Sequence, residues 1–185
     1  MKRSEDIDIN TLDNLTSDSQ LATLAANGDK SAFHQLYLRH HQRVYAISFR
    51  FAGQHALAEE VTQECFIRLW NKIDQFNQSS QFTTWLHRLC VRQAINTMKV
   101  QHTFWQRFLP FQDNDSLIEP CEQAAEYHQL DKYICRLPKQ MRIVFVLIAI
   151  EGYQHNDVAQ LLGIAQGTSK NHYFKAKQLL QEMLS

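Results

Sequence analysis

The chain has 185 residues, enough for one compact domain or two small ones, and its 19 basic and 19 acidic residues give a formal net charge of zero. An apolar content of 44% is typical of a globular protein, whereas five glycines and three prolines are too few for an all-β chain with frequent turns. The net charge of zero argues against a protein that binds polyanions by bulk charge alone.

The N-terminal segment, residues 1–18, shows no helical periodicity and is predicted to be a flexible tail. It contains no apolar core of a secretory signal. The longest apolar run, residues 143–150, is too short to span a membrane. We therefore expect a cytoplasmic protein without membrane insertion.

Apolar residues at helical spacing predict four helices in the first half of the chain, over residues 20–27, 30–52, 55–73 and 82–100. Gly28 and Gly53 follow the first two helices and favour their termination. A polar loop at residues 74–81 precedes the fourth helix. The four apolar faces are sufficient for one small core, which predicts a helical domain over residues 19–105.

A break in this pattern follows at residues 106–121, which carry Pro110, Pro120 and several acidic side chains and are predicted to be an acidic linker. Further helices are predicted over residues 122–136, 138–152, 154–162 and 166–183. These elements make up a second domain over residues 122–185. The predicted fold class is all-α, with two small helical domains joined by a linker.

The last two predicted helices have the pattern of a helix-turn-helix, with Gly163 providing the tight turn between them. If Tyr173, Ala176 and Leu180 face the core, the outward face consists of Gly167, Lys170, Asn171, Phe174, Lys175 and Gln178. Lysine binds phosphate or guanine, asparagine binds adenine, and an exposed phenylalanine contacts a thymine methyl group. A helical hairpin with a solvated basic face is the alternative.

Two further helix faces are candidates for binding. The fourth helix presents a basic stripe of Arg88, Arg92, Asn96 and Lys99, next to a loop that contains Phe76, Asn77 and Gln81. This arrangement suits a separated nucleic-acid strand, although a solvated helix face is equally compatible with it. The third helix has a mixed-charge side that suits protein docking or simple solvation: Glu59, Glu60, Gln63, Glu64 and Arg68.

Three segments carry a family resemblance: AEEVTQECFIRLWNKI, FTTWLHRLCVRQAIN and LPKQMRIVFVLIAIEGYQHNDVAQLLGIAQGTSKNHYFKAKQLL. Together they resemble the extracytoplasmic-function sigma factors of bacterial RNA polymerase, which belong to the sigma-70 family. The resemblance covers residues 20–105 and 122–183. It implies a region 2-like domain, a region 4-like domain and a non-enzymatic role in promoter recognition and transcription initiation.

The resemblance also implies which residues bind which partner. The largest-subunit clamp helices of core RNA polymerase would contact Glu60, Gln63, Glu64 and Arg68. The promoter −10 element would be opened and read by Asn77, Gln81, Arg88, Arg92, Asn96 and Lys99. The −35 element would be read by Gly167, Thr168, Lys170, Asn171, Phe174, Lys175 and Gln178. The flap of the second largest subunit and an anti-sigma factor are implied as further partners.

Three departures from the family pattern lie in or beside the recognition helix. Ala165 stands where a capping serine is usual, a loss of about 1 kcal/mol for that helix. Ser169 replaces an aliphatic residue, and lysine or histidine replaces several arginines that could hold guanine with two hydrogen bonds. We therefore expect weaker binding to the −35 element, or a different element.

Two other functional classes fit the sequence less well. A stand-alone helix-turn-helix regulator would bind promoter DNA without polymerase, but the neutral charge and the second basic face disfavour it. An enzyme is not expected, because the sequence has no phosphate-binding glycine loop, HExxH or GxSxG motif. The adjacent His40 and His41 point about 100° apart on a helix and cannot share a metal ion, so no metal or other cofactor is expected.

Overall fold

The structure is a computed structural model that describes residues 16–108 and 129–184. Within these ranges the chain forms eight α-helices and no strand. In chain order they are α1 Asp18–Ala26, α2 Lys30–Ala52, α3 His55–Lys72, α4 Phe82–Phe108, α5 Gln129–Ile134, α6 Lys139–Phe145, α7 His155–Leu162 and α8 Gln166–Leu184. A 3₁₀ turn, Ile73–Gln75, follows α3, and a π-helical turn, Val146–Ile150, continues α6. The predicted all-α class with a C-terminal helix-turn-helix is confirmed.

Local sequence signals set the start of the first two helices. The Ser17 hydroxyl accepts a hydrogen bond from the Gln20 backbone, and the Gln20 side chain accepts one from the Ser17 backbone, which makes a capping box. The Asp29 carboxylate caps α2 by accepting from the backbone N–H groups of Ser31 at 2.8 Å and Ala32 at 3.1 Å. The first helix therefore begins at Asp18 rather than at the predicted residue 20.

The longest helix, α4, differs from its prediction because it ends at Phe108 instead of residue 100. It therefore enters the segment 106–121 that was predicted to be a linker. The helix ends two residues before Pro110, and a proline disfavours the helical conformation of the residue that precedes it. Residues 109–121 and 122–128, on which the rest of the linker and the start of the next predicted helix fall, lie outside the described residues.

The N-terminal half is organised around α2, which packs against α1, α3 and α4. Its most deeply buried large side chains include Leu36, Phe49 and Phe51, which meet Leu69 of α3 and Ile95 of α4 in one continuous core. Each helix buries one apolar stripe, as the spacing predicted, so the opposite faces of α3 and α4 remain available for binding.

The C-terminal half forms around α6 and α8, with α7 packed between the π-helical turn and α8. Val144, Leu147, Val158 and Ala176 make its core. Pro138 precedes the first helical residue of α6 with extended backbone angles instead of occupying the first helical position. The two halves touch, because the C-terminal end of α2 meets α6.

Among the described helices, none combines the length and the hydropathy that a membrane span requires.

We predict that Asp29→Ala lowers the free energy of unfolding by about 1 kcal/mol, because two backbone N–H groups of α2 lose their acceptor. Urea denaturation followed by circular dichroism measures this change. Gln154→Ala is the matched control, because Gln154 occupies the N-cap of α7 without a side-chain capping hydrogen bond. Equal destabilisation by both substitutions would contradict the assigned role of Asp29.

Candidate nucleic-acid and protein interfaces

The helix-turn-helix is formed by α7, Gly163 and α8. Gly163 has a φ of +69°, in the left-handed region that ends α7, and the next residue, Ile164, donates its N–H to the Ala159 carbonyl at 3.0 Å. The residues of α8 that were predicted to face away from the core are all exposed: Gly167, Lys170, Asn171, Phe174, Lys175 and Gln178. Thr168 is half-buried at the edge of this face.

The exposed phenylalanine on this face has no packing role. Phe174 is 60% exposed, whereas Tyr173, one residue earlier, is half-buried and stacks on Phe145 at a centroid distance of 6.0 Å. The face therefore offers lysine ammonium groups, one amide and one apolar ring to a partner.

A buried hydrogen bond fixes α8 to the start of α7. The Ser169 side chain is fully buried, and its Oγ lies 3.0 Å from Nδ1 of His155. The His155 ring also contacts the edge of Tyr173, at a centroid distance of 5.7 Å. The expected loss of packing at Ser169 is thus accompanied by a polar contact that sequence reasoning missed. The sequence did indicate such a contact, because a hydroxyl at an inward position of α8 is buried and a buried hydroxyl requires a hydrogen-bond partner.

The basic stripe of α4 is exposed along its whole predicted length: Arg88, Arg92, Asn96 and Lys99. The neighbouring polar residues Gln93 and Thr97 point to the other side, where they contact α3. The structure therefore separates a solvent-facing cationic row from an inward polar row on the same helix.

The loop before α4 is anchored by aromatic packing. Phe76 is half-buried and lies 5.4 Å from Phe82 and 5.5 Å from Trp85, measured between ring centroids, so it packs against the first turn of α4. Asn77 accepts a hydrogen bond from the Ser79 backbone at 3.1 Å. Asn77 and Gln81 are both exposed.

A groove of about 840 Å³ lies beside this loop. It is lined by hydroxyl and amide side chains of α1 and of the two residues before it, by the apolar side chain of Leu24, and by Gln78 of the loop. Gln78 has a φ of +59° and donates its side-chain N–H to the Thr23 hydroxyl at 3.3 Å. The groove thus presents neutral hydrogen-bonding groups and one apolar side chain beside the loop.

The four residues predicted to dock a protein on α3 do not form one free surface. Glu60 and Gln63 are exposed. Glu64 is half-buried and accepts hydrogen bonds from the Thr97 hydroxyl at 2.8 Å and from the Gln93 side chain. Arg68 donates to the same Gln93 side chain. Glu64 and Arg68 therefore join α3 to α4, which single-helix reasoning does not reveal.

An aromatic groove of about 870 Å³ runs between α2 and α3 on the side of Gln63. Tyr37 is 40% exposed, Ile67 is 55% exposed and Trp70 is 37% exposed along it. Trp70 contacts the edge of Phe33 at a centroid distance of 4.9 Å. Tyr37 follows the apolar spacing of α2 but lines this groove instead of entering the core. The sequence did indicate this groove, because the apolar residues Ile67 and Trp70 fall outside the helical spacing of the buried side chains of α3. Sequence reasoning overlooked them.

Within the described ranges, no group of three or more histidine, cysteine, aspartate or glutamate side chains is arranged to hold a metal ion.

Comparison with known proteins gives two family matches. The model described as Sigma-70 region 2 matches residues 36–103, and the model described as Sigma-70, region 4 matches residues 127–180. The chain is 24% identical to the ECF RNA polymerase sigma factor SigM of Mycobacterium tuberculosis over 168 residues, which is 91% of this chain and 85% of SigM. It is 28% identical to the RNA polymerase sigma-H factor of Pseudomonas aeruginosa over 184 residues, covering 90% of this chain and 93% of that one.

A solved structure, the sigma factor RpoE in complex with the anti-sigma factor NepR from Bartonella quintana, is also similar. It is 24% identical with a TM-score of 0.48, and the match covers 82% of this chain and 96% of that one.

We predict that Ser169→Ala lowers the free energy of unfolding by about 1 kcal/mol, because His155 loses a buried hydrogen-bond partner. Urea denaturation of the single and double variants, with His155→Ala as the second substitution, gives the coupling between the two side chains. A coupling near zero would contradict the hydrogen bond as a stabilising contact.

Proposed function

Because the chain belongs to the extracytoplasmic-function group of the sigma-70 family and is an RNA polymerase sigma factor, we propose that it binds core RNA polymerase and directs it to promoters through two DNA-reading surfaces. Sigma factors are not enzymes, and no catalytic step is assigned to this chain. The domain boundaries predicted from the sequence, a tail at 1–18, a region 2-like domain at 19–105, a linker at 106–121 and a region 4-like domain at 122–185, shift at two places, because α1 begins at Asp18 and α4 ends at Phe108. The region 2-like domain therefore takes residues 18–108, after a tail at 1–17 and before a linker at 109–121. Since RNA polymerase acts in the cytoplasm, we assign the protein to that compartment.

The −35 element is read by α8 in the major groove. One observation carries this proposal, namely that Phe174 is 60% exposed on the outward face of a helix-turn-helix, about one helical turn after Lys170 and Asn171. Lys170 and Lys175 supply charge for phosphate or guanine, Asn171 supplies a donor and an acceptor for adenine, and Phe174 supplies an apolar contact for a thymine methyl group. Gly167, Thr168 and Gln178 complete the surface.

The −10 element is read by the loop and the basic stripe of α4. Arg88, Arg92, Asn96 and Lys99 follow the backbone of the separated strand, since they are exposed along one helix face. Asn77 and Gln81 meet the bases at the loop. The hydroxyl- and amide-lined groove next to Gln78 has the chemistry to hold an unstacked base by hydrogen bonds.

Core polymerase docks on α3 and on the aromatic groove beside it. Glu60 and Gln63 remain in the docking surface, and Ile67, Trp70 and Tyr37 extend it as apolar contacts. Exposed aromatic and aliphatic side chains flanked by polar ones are typical of protein interfaces. Glu64 and Arg68 shape this surface indirectly, through their hydrogen bonds to α4.

Three partners are proposed. The largest-subunit clamp helices bind the α3 surface, and the flap of the second largest subunit binds the region 4-like domain. An anti-sigma factor is the proposed inhibitor.

The test is in vitro transcription from a genomic fragment library with purified core polymerase, with and without this protein. Discrete new start sites are expected, and their upstream sequences define both elements. The alternative, a stand-alone helix-turn-helix regulator, predicts specific DNA binding by the protein alone and no new start sites. That result would overturn the proposal.

We predict that Lys170→Ala and Phe174→Ala each reduce transcription from the identified promoter by about tenfold, the effect of losing one base contact of about 1–3 kcal/mol. Core binding should be unchanged, as measured by co-purification. Leu184→Ala is the matched control, because Leu184 is a similarly exposed apolar residue at the far end of α8. Loss of core binding in the first two variants would contradict the assignment of this face to DNA.

We predict that Ile67→Asp weakens core binding by about tenfold or more, because it places an unpaired charge in an apolar contact. Leu38→Asp is the matched control, since Ile67 and Leu38 are both 55% exposed but Leu38 does not line the groove. Titration of labelled core polymerase measures both affinities. Equal effects of the two substitutions would argue against docking at this groove.

A further inference from the structure

A cleft of about 540 Å³ lies between the two helical halves, apart from the two grooves described above. One wall comes from α2 and α4, and the other comes from the segment after the π-helical turn and from the first turn of α7. This volume falls in the range of about 300–1,000 Å³ that is typical of small-molecule sites. Among the described residues that line the cleft, Arg88 is the only one that also belongs to a surface proposed for DNA or core polymerase.

Two arginines from different helices line this cleft without a protein partner. Arg43 of α2 and Arg88 of α4 are both exposed, and neither makes a hydrogen bond or an ion pair within the described residues. Arg50, about two turns after Arg43 on α2, donates by contrast to both carboxylate oxygens of Asp131, at 2.8 Å and 3.1 Å. The cleft therefore contains two guanidinium groups whose charge and donors are available to a ligand.

The buried carboxyl group in the cleft does not cancel the charge of these arginines. Glu151, whose side chain is 7% exposed, accepts a hydrogen bond from Nε2 of His87 at 2.7 Å. Burial raises the pKa of Glu151, whereas burial together with Arg43, Arg50 and Arg88 lowers the pKa of His87. Because three arginines act on the imidazole in the same direction, it lies in a positive field although its hydrogen-bond partner is a carboxyl group. An anion in the cleft would offset this excess of positive charge.

The number and kind of these cations favour a terminal phosphate over other anions. A phosphate monoester carries a charge of about −1.5 to −2 at pH 7, which matches two guanidinium groups better than the single charge of a carboxylate or a phosphodiester. The planar guanidinium group also forms paired hydrogen bonds with phosphate oxygens. The Thr84 hydroxyl adds a donor on the same face of α4, because Thr84 lines the cleft four residues before Arg88.

The rest of the cleft suits the nucleoside part of a nucleoside phosphate. Asp157 of α7 is exposed and has no hydrogen-bond partner in the described part of the chain, so its carboxylate can accept N–H groups. Carboxylates recognise nucleobases through exocyclic amino groups in this way. Tyr153, on the same wall, and Val91 of α4 supply an aromatic ring and an apolar side chain against which a flat base can pack. A molecule with a phosphate at one end and a base at the other is complementary to both walls.

We propose that this cleft binds a small nucleoside phosphate, with its terminal phosphate on Arg43 and Arg88 and its base at Tyr153 and Asp157. The site is additional to the surfaces proposed for promoter DNA and core polymerase, and binding does not depend on whether the chain initiates transcription. A nucleic-acid strand also offers phosphates and bases, but each of its internal phosphates carries a single charge. The doubly charged terminal phosphate of a free nucleotide matches the two arginines better, and the test distinguishes the two ligands.

The test is isothermal titration calorimetry of the full-length protein with ADP, GDP, CDP and UDP, each in turn, near pH 7. At least one of these diphosphates is expected to bind with a Kd on the order of 100 μM or lower. Pyrophosphate, which lacks the base, is expected to bind about tenfold more weakly than the best nucleotide. A thymidine tetranucleotide serves as the probe for strand binding and is also expected to bind more weakly.

Two substitutions test the two ends of the ligand separately. Arg43→Gln is expected to weaken binding of both the nucleotide and pyrophosphate by about tenfold or more, because one guanidinium group is lost. Asp157→Ala is expected to weaken binding of the nucleotide but not of pyrophosphate, since it removes only the acceptor for the base. Arg136→Gln is the matched control, because Arg136 is an exposed arginine that does not line the cleft. Circular dichroism checks that each variant keeps its helix content, and if one cleft variant fails to fold, the other still tests the site.

A second measurement locates the bound ligand through the pKa of His87, followed by NMR of its ring protons and assigned with His87→Gln. A phosphate on Arg43 and Arg88 adds negative charge beside the imidazole, which stabilises its protonated form. Saturating nucleotide should therefore raise the pKa of His87 in the wild-type protein.

Several results would overturn the site. They are the absence of diphosphate binding up to about 1 mM, equal affinities for pyrophosphate and the best nucleotide, equal effects of Arg43→Gln and Arg136→Gln, and a bound nucleotide that leaves the pKa of His87 unchanged. Binding of the tetranucleotide in place of the diphosphates, weakened by Arg43→Gln, would also overturn it and would assign the cleft to a nucleic-acid strand.

Discussion

The carboxyl end of α2 is the constraint on which the rest of the molecule depends. A helix leaves its last carbonyl groups without intrahelical donors, and at a buried end each must find another partner. Here Gly53 turns the chain away and Arg142, from the second half, supplies donors to Phe51 and Ala52. Since α2 also packs against α1, α3 and α4, the same helix organises the first half and attaches the second half to it.

Functional surfaces in this protein are defined as much by inward contacts as by outward side chains. Gln93 and Thr97 of α4 bind Glu64, and Gln93 also binds Arg68, so one polar row joins the helices while the next row of α4 stays exposed to solvent. This division leaves Gln63, Ile67 and the aromatic groove as the free face of α3. Under the proposed function, each of the two helices thus has one face that binds the other helix and a separate face for a partner.

Features encoded within one helix could be predicted from the sequence, and features that depend on a neighbour could not. Helical spacing predicted the exposure of Lys170, Asn171 and Phe174, and glycine chemistry predicted the ends of α2 and α7. The inward orientation of Glu64 depends on residues about 30 positions away in α4, and the partner of Ser169 is a histidine on another helix. The role of Arg142 could not be predicted for the same reason, because the carbonyl groups that it binds at the end of α2 lie about 90 residues earlier in the chain.

The aromatic packing of the loop before α4 would also affect the thermodynamics of the strand capture proposed for this loop. Because Phe76 is held against Phe82 and Trp85, the loop backbone is already ordered before any nucleic acid arrives. Ordering a flexible segment on binding costs conformational entropy of about 1–2 kcal/mol for each residue fixed, and a rigid loop avoids most of this cost. More of the free energy of base contact then remains to offset the unstacking of the duplex. Aromatic packing within the protein would in this way favour DNA opening.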